Sequence, residues 1–341
     1  MSTLTDQMFI LLRSSLNQRP ADLTPLSEED WKKLFWLARQ HGIVTIINDA
    51  IELLPDHLKP QGDIALSWTL SAERTRYHYA HQKQVLQQID AKAQAEGLPY
   101  VLLKGMSLAR FYPRPDSRPC GDIDILFPRN FERGNVLLGS PDAKAKGKHS
   151  EMEIDGVTIE NHRQLLDLNY DSQRRAEAYI MESLRNVPED HFLPPMTNMV
   201  YLLMHTVSHL TARNKLPLRN VIDWGMFLRA NRETLNPDEC ITTLKRIGMV
   251  HAFSLFTQLA SEYTDTDLSM FIKERVSAKD VKRMNDLIVT QSFLKPVPKD
   301  MPFIPRIIAR LKRRSQRRWM FPYLPASFKE RLKVKLINYN S

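Results

Sequence analysis

Between Ser27 and Gly42 the apolar residues Trp31, Leu34, Phe35, Leu37 and Ala38 recur mostly at three- and four-residue intervals. That period gathers them on one side of a helix. Ser27 stands where an N-cap belongs, Glu28, Glu29 and Asp30 fill the first turn, and Gly42 follows the last. Acids at the start and glycine at the end complement the free amides and carbonyls of helix termini. Leu4–Leu16 repeats the pattern more weakly. A long polar helix is predicted from about Asp63 to Glu96, carrying Leu66, Trp68, Leu70, Ala72, Tyr77, Tyr79, Val85, Leu86 and Ile89. Gly97 and Pro99 stop it.

At Tyr100 the period changes. "YVLLKG" is a short apolar run closed by glycine and predicts a strand. Met106–Tyr112 predicts a turn or two of helix, and "PRPDSRPCG" a loop. "DIDILF" alternates, which puts Asp122 and Asp124 on one face of a strand and Ile123 and Ile125 on the other. Asn130–Leu138 predicts helix. "EMEIDGVTIENH" predicts a hairpin, with Asp155-Gly156 as a two-residue type I′ turn. That register pairs Ile154 with Val157 and Glu151 with Glu160. Glu151, Glu153, Glu160 and His162 then share a face. Beyond Leu166 the pattern is helical again, through "MTNMVYLLMHTVSHL", "LPLRNVIDWGMFLRA", "PDECITTLKRIGM" and "HAFSLFTQLASEY" at bundle-like spacing. The expected fold is α+β. A helical region spans 1–97, a small mixed sheet of three or four strands occupies 98–165, a second helical region spans 166–300, and a basic tail covers 301–341.

Composition narrows the class. The 341 residues are 43% hydrophobic with 11 glycines, so a packed, helix-rich chain is expected rather than a disordered one. Two cysteines, Cys120 and Cys240, exclude a disulfide framework and a cysteine-rich zinc site, and fit a reducing, cytoplasmic compartment. The Met8–Leu12 run is too short for a signal peptide, and no window reaches the length of a membrane span. The net charge of +9 is concentrated. Arg306–Lys335 holds eleven Lys/Arg and one acid, Glu330, a local +10, which leaves the remainder at about −1. That tail mixes arginines with Ile307, Ile308, Leu311, Trp319 and Phe321, so three fates stay open: a solvated helix, an anionic membrane surface touched from the periphery, or RNA. Pro302, Pro305, Pro322 and Pro325 predict short, broken helices there.

Two aspartates one residue apart in an apolar strand repel each other, and burying either is costly without compensation. A solvated edge strand is the plain account. A divalent cation is the chemical one, and the neighbours favour it. Lys104-Gly105 closes the preceding strand and opens a helix whose first amides, near Met106 and Ser107, can receive phosphate oxygens. Glu160 faces the same way as the aspartates from a later strand. Three carboxylates on adjacent strands suit a pair of Mg²⁺ ions in phosphoryl or nucleotidyl transfer.

The stretch "PYVLLKGMSLARFYPRPDSRPCGDIDILF" followed by "EIDGVTIENH" resembles the nucleotidyltransferase superfamily with the DNA polymerase beta-like fold, and most closely its bacterial branch. The likeness covers about Pro99–His162, with a weaker echo around His205–Asp223. It implies that Asp122 and Asp124 hold two Mg²⁺, with Mn²⁺ as a substitute, and that Glu160 takes the place of the third acid. The residues alone leave Glu151 and Glu153 open for that role. Gly105, Met106 and Ser107 take the place of the family's triphosphate-holding turn, although Met106 stands where Gly or Ser is usual and the distance to Asp122 is longer than the commonest spacing. Lys104 and Arg118 are phosphate contacts by charge and position. The partner implied is a nucleoside triphosphate. The acceptor stays open among RNA, protein, sugar and small molecules.

His162 is placed to orient Glu160 or touch substrate. His205 and His209, four apart on a helix, have zinc-pair spacing but no obvious third ligand, so packing or nucleotide contact is expected. Arg219 and Asp223, also four apart, read as a surface ion pair. Two other functions fit part of the pattern. Metal-dependent glycosyltransferases use Asp-x-Asp on a nucleotide sugar, but build strands before it where this chain has helix. A non-catalytic nucleotide-binding module has no need of intact acids.

Overall fold

The hairpin turn has the backbone its residues require. Asp155 and Gly156 both have positive φ (49° and 77°), the conformation of a type I′ turn. The computed structural model describes residues 3–210, 216–291, 297–298, 300–316, 318–324 and 330. The turn joins β3 (His149–Ile154) to β4 (Val157–His162), and Glu151 lies opposite Glu160 in the expected register. β1 (Val101–Leu103) pairs antiparallel with β2 (Ile123–Leu126), and β2 pairs parallel with β4. The order is β1-β2-β4-β3, a four-stranded mixed sheet. The parallel pairing puts Asp124 directly beside Glu160.

Ahead of the sheet come α1 (Leu4–Asn17), α2 (Glu28–His41), α3 (Val44–Glu52) and the 34-residue α4 (Gly62–Ala95). Ser27 caps α2 through the Asp30 amide, and Gly42 ends it in the left-handed region. Within the sheet region lie α5 (Lys104–Ala109) and α6 (Phe131–Leu137). The helix expected over Met106–Tyr112 therefore starts two residues earlier and ends three earlier, and Gly105 breaks its geometry (φ 6°, ψ −104°). After the sheet run α7 (Asp171–Ser183), α8 (Pro195–Ser208), α9 (Leu218–Ala230), α10 (Pro237–Ile247), α11 (Val250–Thr264), α12 (Ala278–Thr290) and α13 (Phe303–Gln316). Over its described residues from 303 to 323 the tail forms a 14-residue helix followed by a short 3₁₀ turn at Arg318–Tyr323, with Pro305 in the first helical turn. Pro325 lies outside the described residues.

Strand periodicity sorts the sheet's side chains to two faces. Leu102, Ile123, Ile125 and Ile159 join a core with Val85, Ile89 and Ala93 of α4. On the other face Val101, Leu103 and Leu126 join the main core, which also takes in α1, α2, α3, α8, α9 and α11. Segments 1–97 and 166–300 therefore share one interior. Phe9 of α1 stacks on Tyr263 of α11 with ring centroids 5.0 Å apart, and Trp224 of α9 donates to Thr257 Oγ1 of α11 at 3.1 Å. Leu66, Leu70 and Tyr77, counted by periodicity among the apolar residues of α4, are exposed instead. A helix this long has turns that reach past the core it packs on.

α6 lies close against the end of β2. A Cβ on Gly134 would stand 2.3 Å from Phe127 Cδ2, inside any permitted contact. Gly134→Ala gains about 1 kcal/mol of helix propensity but forces Phe127, 1% exposed, out of place, at about 1–3 kcal/mol. The expected result is a lower urea midpoint with an unchanged slope. An unchanged or higher midpoint means that Phe127 yields freely.

Candidate active site

Asp124 occupies the centre of the sheet on the main-core face and is only 2% exposed. Lys104 Nζ donates to its Oδ1 at 2.5 Å, and His162 Nε2 meets the same oxygen at 2.8 Å. Burial favours the neutral acid, but the Lys104 ammonium and the His162 ring outweigh it and hold Asp124 well below the usual carboxylate range. Burial likewise acts to discharge Lys104, yet Tyr201 and Asp124 keep it firmly charged. His162 has Gln164 O 3.4 Å from Nδ1 and Asp124 and Glu160 oxygens on Nε2, so acceptors face both nitrogens. Its pKa lies above the ordinary value: burial opposes the charge, and the two carboxylates overcome it.

Lys104 sits at the end of β1 with φ +41°, a left-handed backbone that a lysine adopts only when its surroundings fix it. The ion pair to Asp124 is one such constraint. Gly105 follows because a Cβ there would come within 3.3 Å of the Asp122 carbonyl. The two residues thus bring the end of β1 against the start of β2.

Asp122, Asp124 and Glu160 present ligand oxygens that all lie within 4.8 Å of one another. Glu151 and Glu153 are exposed and stand outside this group, so Glu160 is the third acid of the cluster. Asp122 makes no ion pair among the described residues. Burial, then Asp124 and Glu160, push its pKa up to about 6. Three carboxylates, Asp122, Asp124 and Glu160, face one ammonium, Lys104, and the His162 ring. A donor set of oxygens alone, with charge to spare, fits a hard divalent cation. A second group of prospective ligands, His149, Glu160 and His162, shares Glu160. His149 lies opposite His162 across the hairpin, and burial holds its pKa below the ordinary value.

These groups open into a cavity of about 380 Å³ between the sheet and helices α8 and α9. Lys104, Gly105, Arg118, Asp122, Asp124, Glu160, His162, His205 and His209 all line it. Met106 and Ser107 do not. Met106 packs in the α4-side core and Ser107 is buried, so of the expected phosphate turn only Gly105 reaches the wall, beside Lys104. Arg118, expected as a phosphate contact, is committed elsewhere. Its Nε and Nη2 donate to Asp223 Oδ1 and Oδ2 at 2.7 and 2.8 Å, and Tyr112 Oη donates to Oδ1 at 2.7 Å. Asp223, expected on a helix surface with Arg219, is buried in this bond. The reason is geometric: a guanidinium fork matches both carboxylate oxygens, and burial rewards the match.

Arg219 is the residue that spacing missed. It lines the cavity and donates from Nη1 to Pro119 O at 3.1 Å. Its Nε is buried without a hydrogen-bond partner, and it makes no ion pair among the described residues. Asn220 Nδ2, beside it on α9, is likewise buried without a partner. Burial and the nearby Arg118 disfavour the Arg219 charge. An anion would satisfy both residues. His205 Nε2 and His209 Nε2 lie 3.2 Å apart but belong to no group of three prospective ligands among the described residues. Burial, reinforced by Lys104, holds His205 well below its ordinary pKa.

The geometry defines a cluster of three carboxylates on a small mixed sheet, in a cavity that Lys104 and Arg219 also line. A family model described as an uncharacterised nucleotidyltransferase matches residues 27–265, and the chain belongs to that family. No curated protein and no solved structure matches it. Membership supports nucleotidyl transfer at the level of the family and lends nothing to the glycosyltransferase reading.

A carboxyl whose folded pKa is raised favours folding below its unfolded value, and that advantage is lost as pH rises through the folded value. For Asp122 the window is about pH 4 to 6. In a chelator, Asp122→Asn should therefore stabilise the fold at pH 8 by up to about 2 kcal/mol, seen as a higher thermal midpoint, and give no gain near pH 3.5. Equal gains at both pH values would locate the effect outside this ionisation.

Proposed function

We propose that this protein transfers a nucleotidyl group from a nucleoside triphosphate to an acceptor hydroxyl and releases pyrophosphate. The observation that carries the reading is Asp122, a largely buried carboxylate beside Asp124 and Glu160 with no cation of its own among the described residues. Asp122 and Asp124 are the residues to hold Mg²⁺, one ion or two, and Mn²⁺ suits the same oxygens. When bound, the ion supplies positive charge against the triphosphate and its leaving oxygen.

The acceptor oxygen bonds to the α-phosphorus. The bond from that phosphorus to the bridging oxygen of the β-phosphate breaks, and pyrophosphate departs with its electron pair. The acceptor proton passes to Glu160, whose carboxylate His162 orients through the 3.3 Å contact. Lys104 and Arg219 balance phosphate charge, in place of the Lys104 and Arg118 pair that the sequence suggests. Gly105 keeps the wall low where the chain runs closest to Asp122.

The test uses each of the four nucleoside triphosphates labelled in the α-phosphate, with Mg²⁺, the full chain and a desalted lysate separated into protein, RNA, lipid and small molecules. Label is expected in one fraction with the intact chain and in none with the Asp122→Ala/Asp124→Ala double variant. Transfer that survives the double substitution overturns the assignment. Nucleotide binding with no transfer to any fraction favours a non-catalytic module.

Arg219→Ala should raise KM for the triphosphate about tenfold or more, the value of a charge-assisted hydrogen bond to phosphate, and change kcat less. An unaltered KM would remove Arg219 from the phosphate site.

A further inference from the structure

The end of the described chain sets an anchored segment beside an unanchored one. Arg318–Tyr323 returns to the body: Met320, Tyr323 and Leu324 are buried in the main core. Tyr323 Oη donates to Asp280 Oδ2 at 2.9 Å, and the Arg283 guanidinium lies 5.7 Å from the Trp319 ring centroid. The helix before this anchor, α13, keeps its apolar residues in solvent. Phe303 is 60% exposed, Ile304 68%, Ile307 39%, Ile308 60% and Leu311 59%.

At about 100° per residue, those five side chains fill one arc of about 140°. Arg310 borders the arc on one side and Lys312 on the other. The segment from Phe303 to Gln316 contains no Asp or Glu. At 14 residues the helix is about 21 Å long, and no described helix is long and apolar enough to cross a membrane.

A one-sided apolar arc bordered by cations suits the boundary between lipid headgroups and acyl chains. There the apolar side chains leave water, and Arg and Lys stems extend along the apolar layer while their heads reach anionic headgroups. RNA would satisfy the cations, but a phosphate backbone offers nothing to five solvent-facing apolar side chains. We infer that α13 is a docking helix for an anionic lipid surface, held to the enzyme body by the turn that follows it. The inference stands apart from the nucleotidyl reading, because none of its residues lines the cavity.

The test is flotation of the full chain with vesicles of phosphatidylcholine alone and of equimolar phosphatidylcholine and phosphatidylglycerol. The bound fraction on the anionic vesicles should exceed that on the neutral ones by about a hundredfold, as several cations near the surface imply. Ile304→Asp/Ile308→Asp should lower anionic binding about tenfold or more, and Arg310→Glu/Lys312→Glu should remove the lipid selectivity. Both variants keep the anchored turn, and an unchanged thermal midpoint verifies their folding. Absence of flotation, or equal flotation by the Ile304/Ile308 variant, overturns the inference. So does polyuridylate binding without vesicle binding, which assigns the cations to RNA. A dimer by light scattering that Ile304→Asp/Ile308→Asp abolishes, again without vesicle binding, assigns the arc to a second copy.

Discussion

A buried ion pair, Arg118 with Asp223, joins the loop that delivers the carboxylates to the helix that roofs them. Two charges removed from water are costly, and only close geometry with further hydrogen bonds offsets the cost. Here the fork is bidentate and Tyr112 adds a third donor. Arg118 and Arg219 also both donate to the Pro119 carbonyl, so the loop backbone just before Asp122 is held from two sides. At the other end of the loop, Arg114 reaches Asp49 and Glu52 of α3. Asp122, one residue ahead of β2, is therefore located by long-range charge on its loop rather than by strand pairing, since the pairing begins only at Ile123.

That restraint permits a site that is poor for stability. A lysine is kept in a left-handed backbone, one carboxylate is held charged in the interior, and a second is pushed toward neutrality beside it. Each departs from what isolated residues prefer. Together they form an incomplete charge balance, which is the physical basis of the cation binding we propose.

The elements whose signals are local were legible in the sequence. The cap and stop of α2, the extent of α4 and the Asp155-Gly156 turn depend on neighbours within a few residues, and each stands where the pattern puts it. So does the alternation that sends Asp124 to one face of β2 and Ile123 and Ile125 to the other. The fate of Arg118 was not legible, because its partner lies 105 residues away. Arg219 offered only its four-residue spacing from Asp223, which pointed to a surface pair, and only folding shows that it enters the cavity. His149 could have been found: extending the hairpin register by two residues from Glu151 and Glu160 sets it opposite His162.

The shared interior of the first and last helical regions bears on how the chain is made. α1 meets its partner α11 across about 250 residues, as in the hydrogen bond from Arg13 to the Glu262 carbonyl. During synthesis the first helices emerge with their apolar faces uncovered and wait for α11 for roughly ten seconds to a minute. The sheet, translated in between, gains its roof only when α9 arrives. Until then the nascent chain carries its carboxylates on an open sheet face, so the cavity closes late, shortly before α11 arrives to cover the earliest helices.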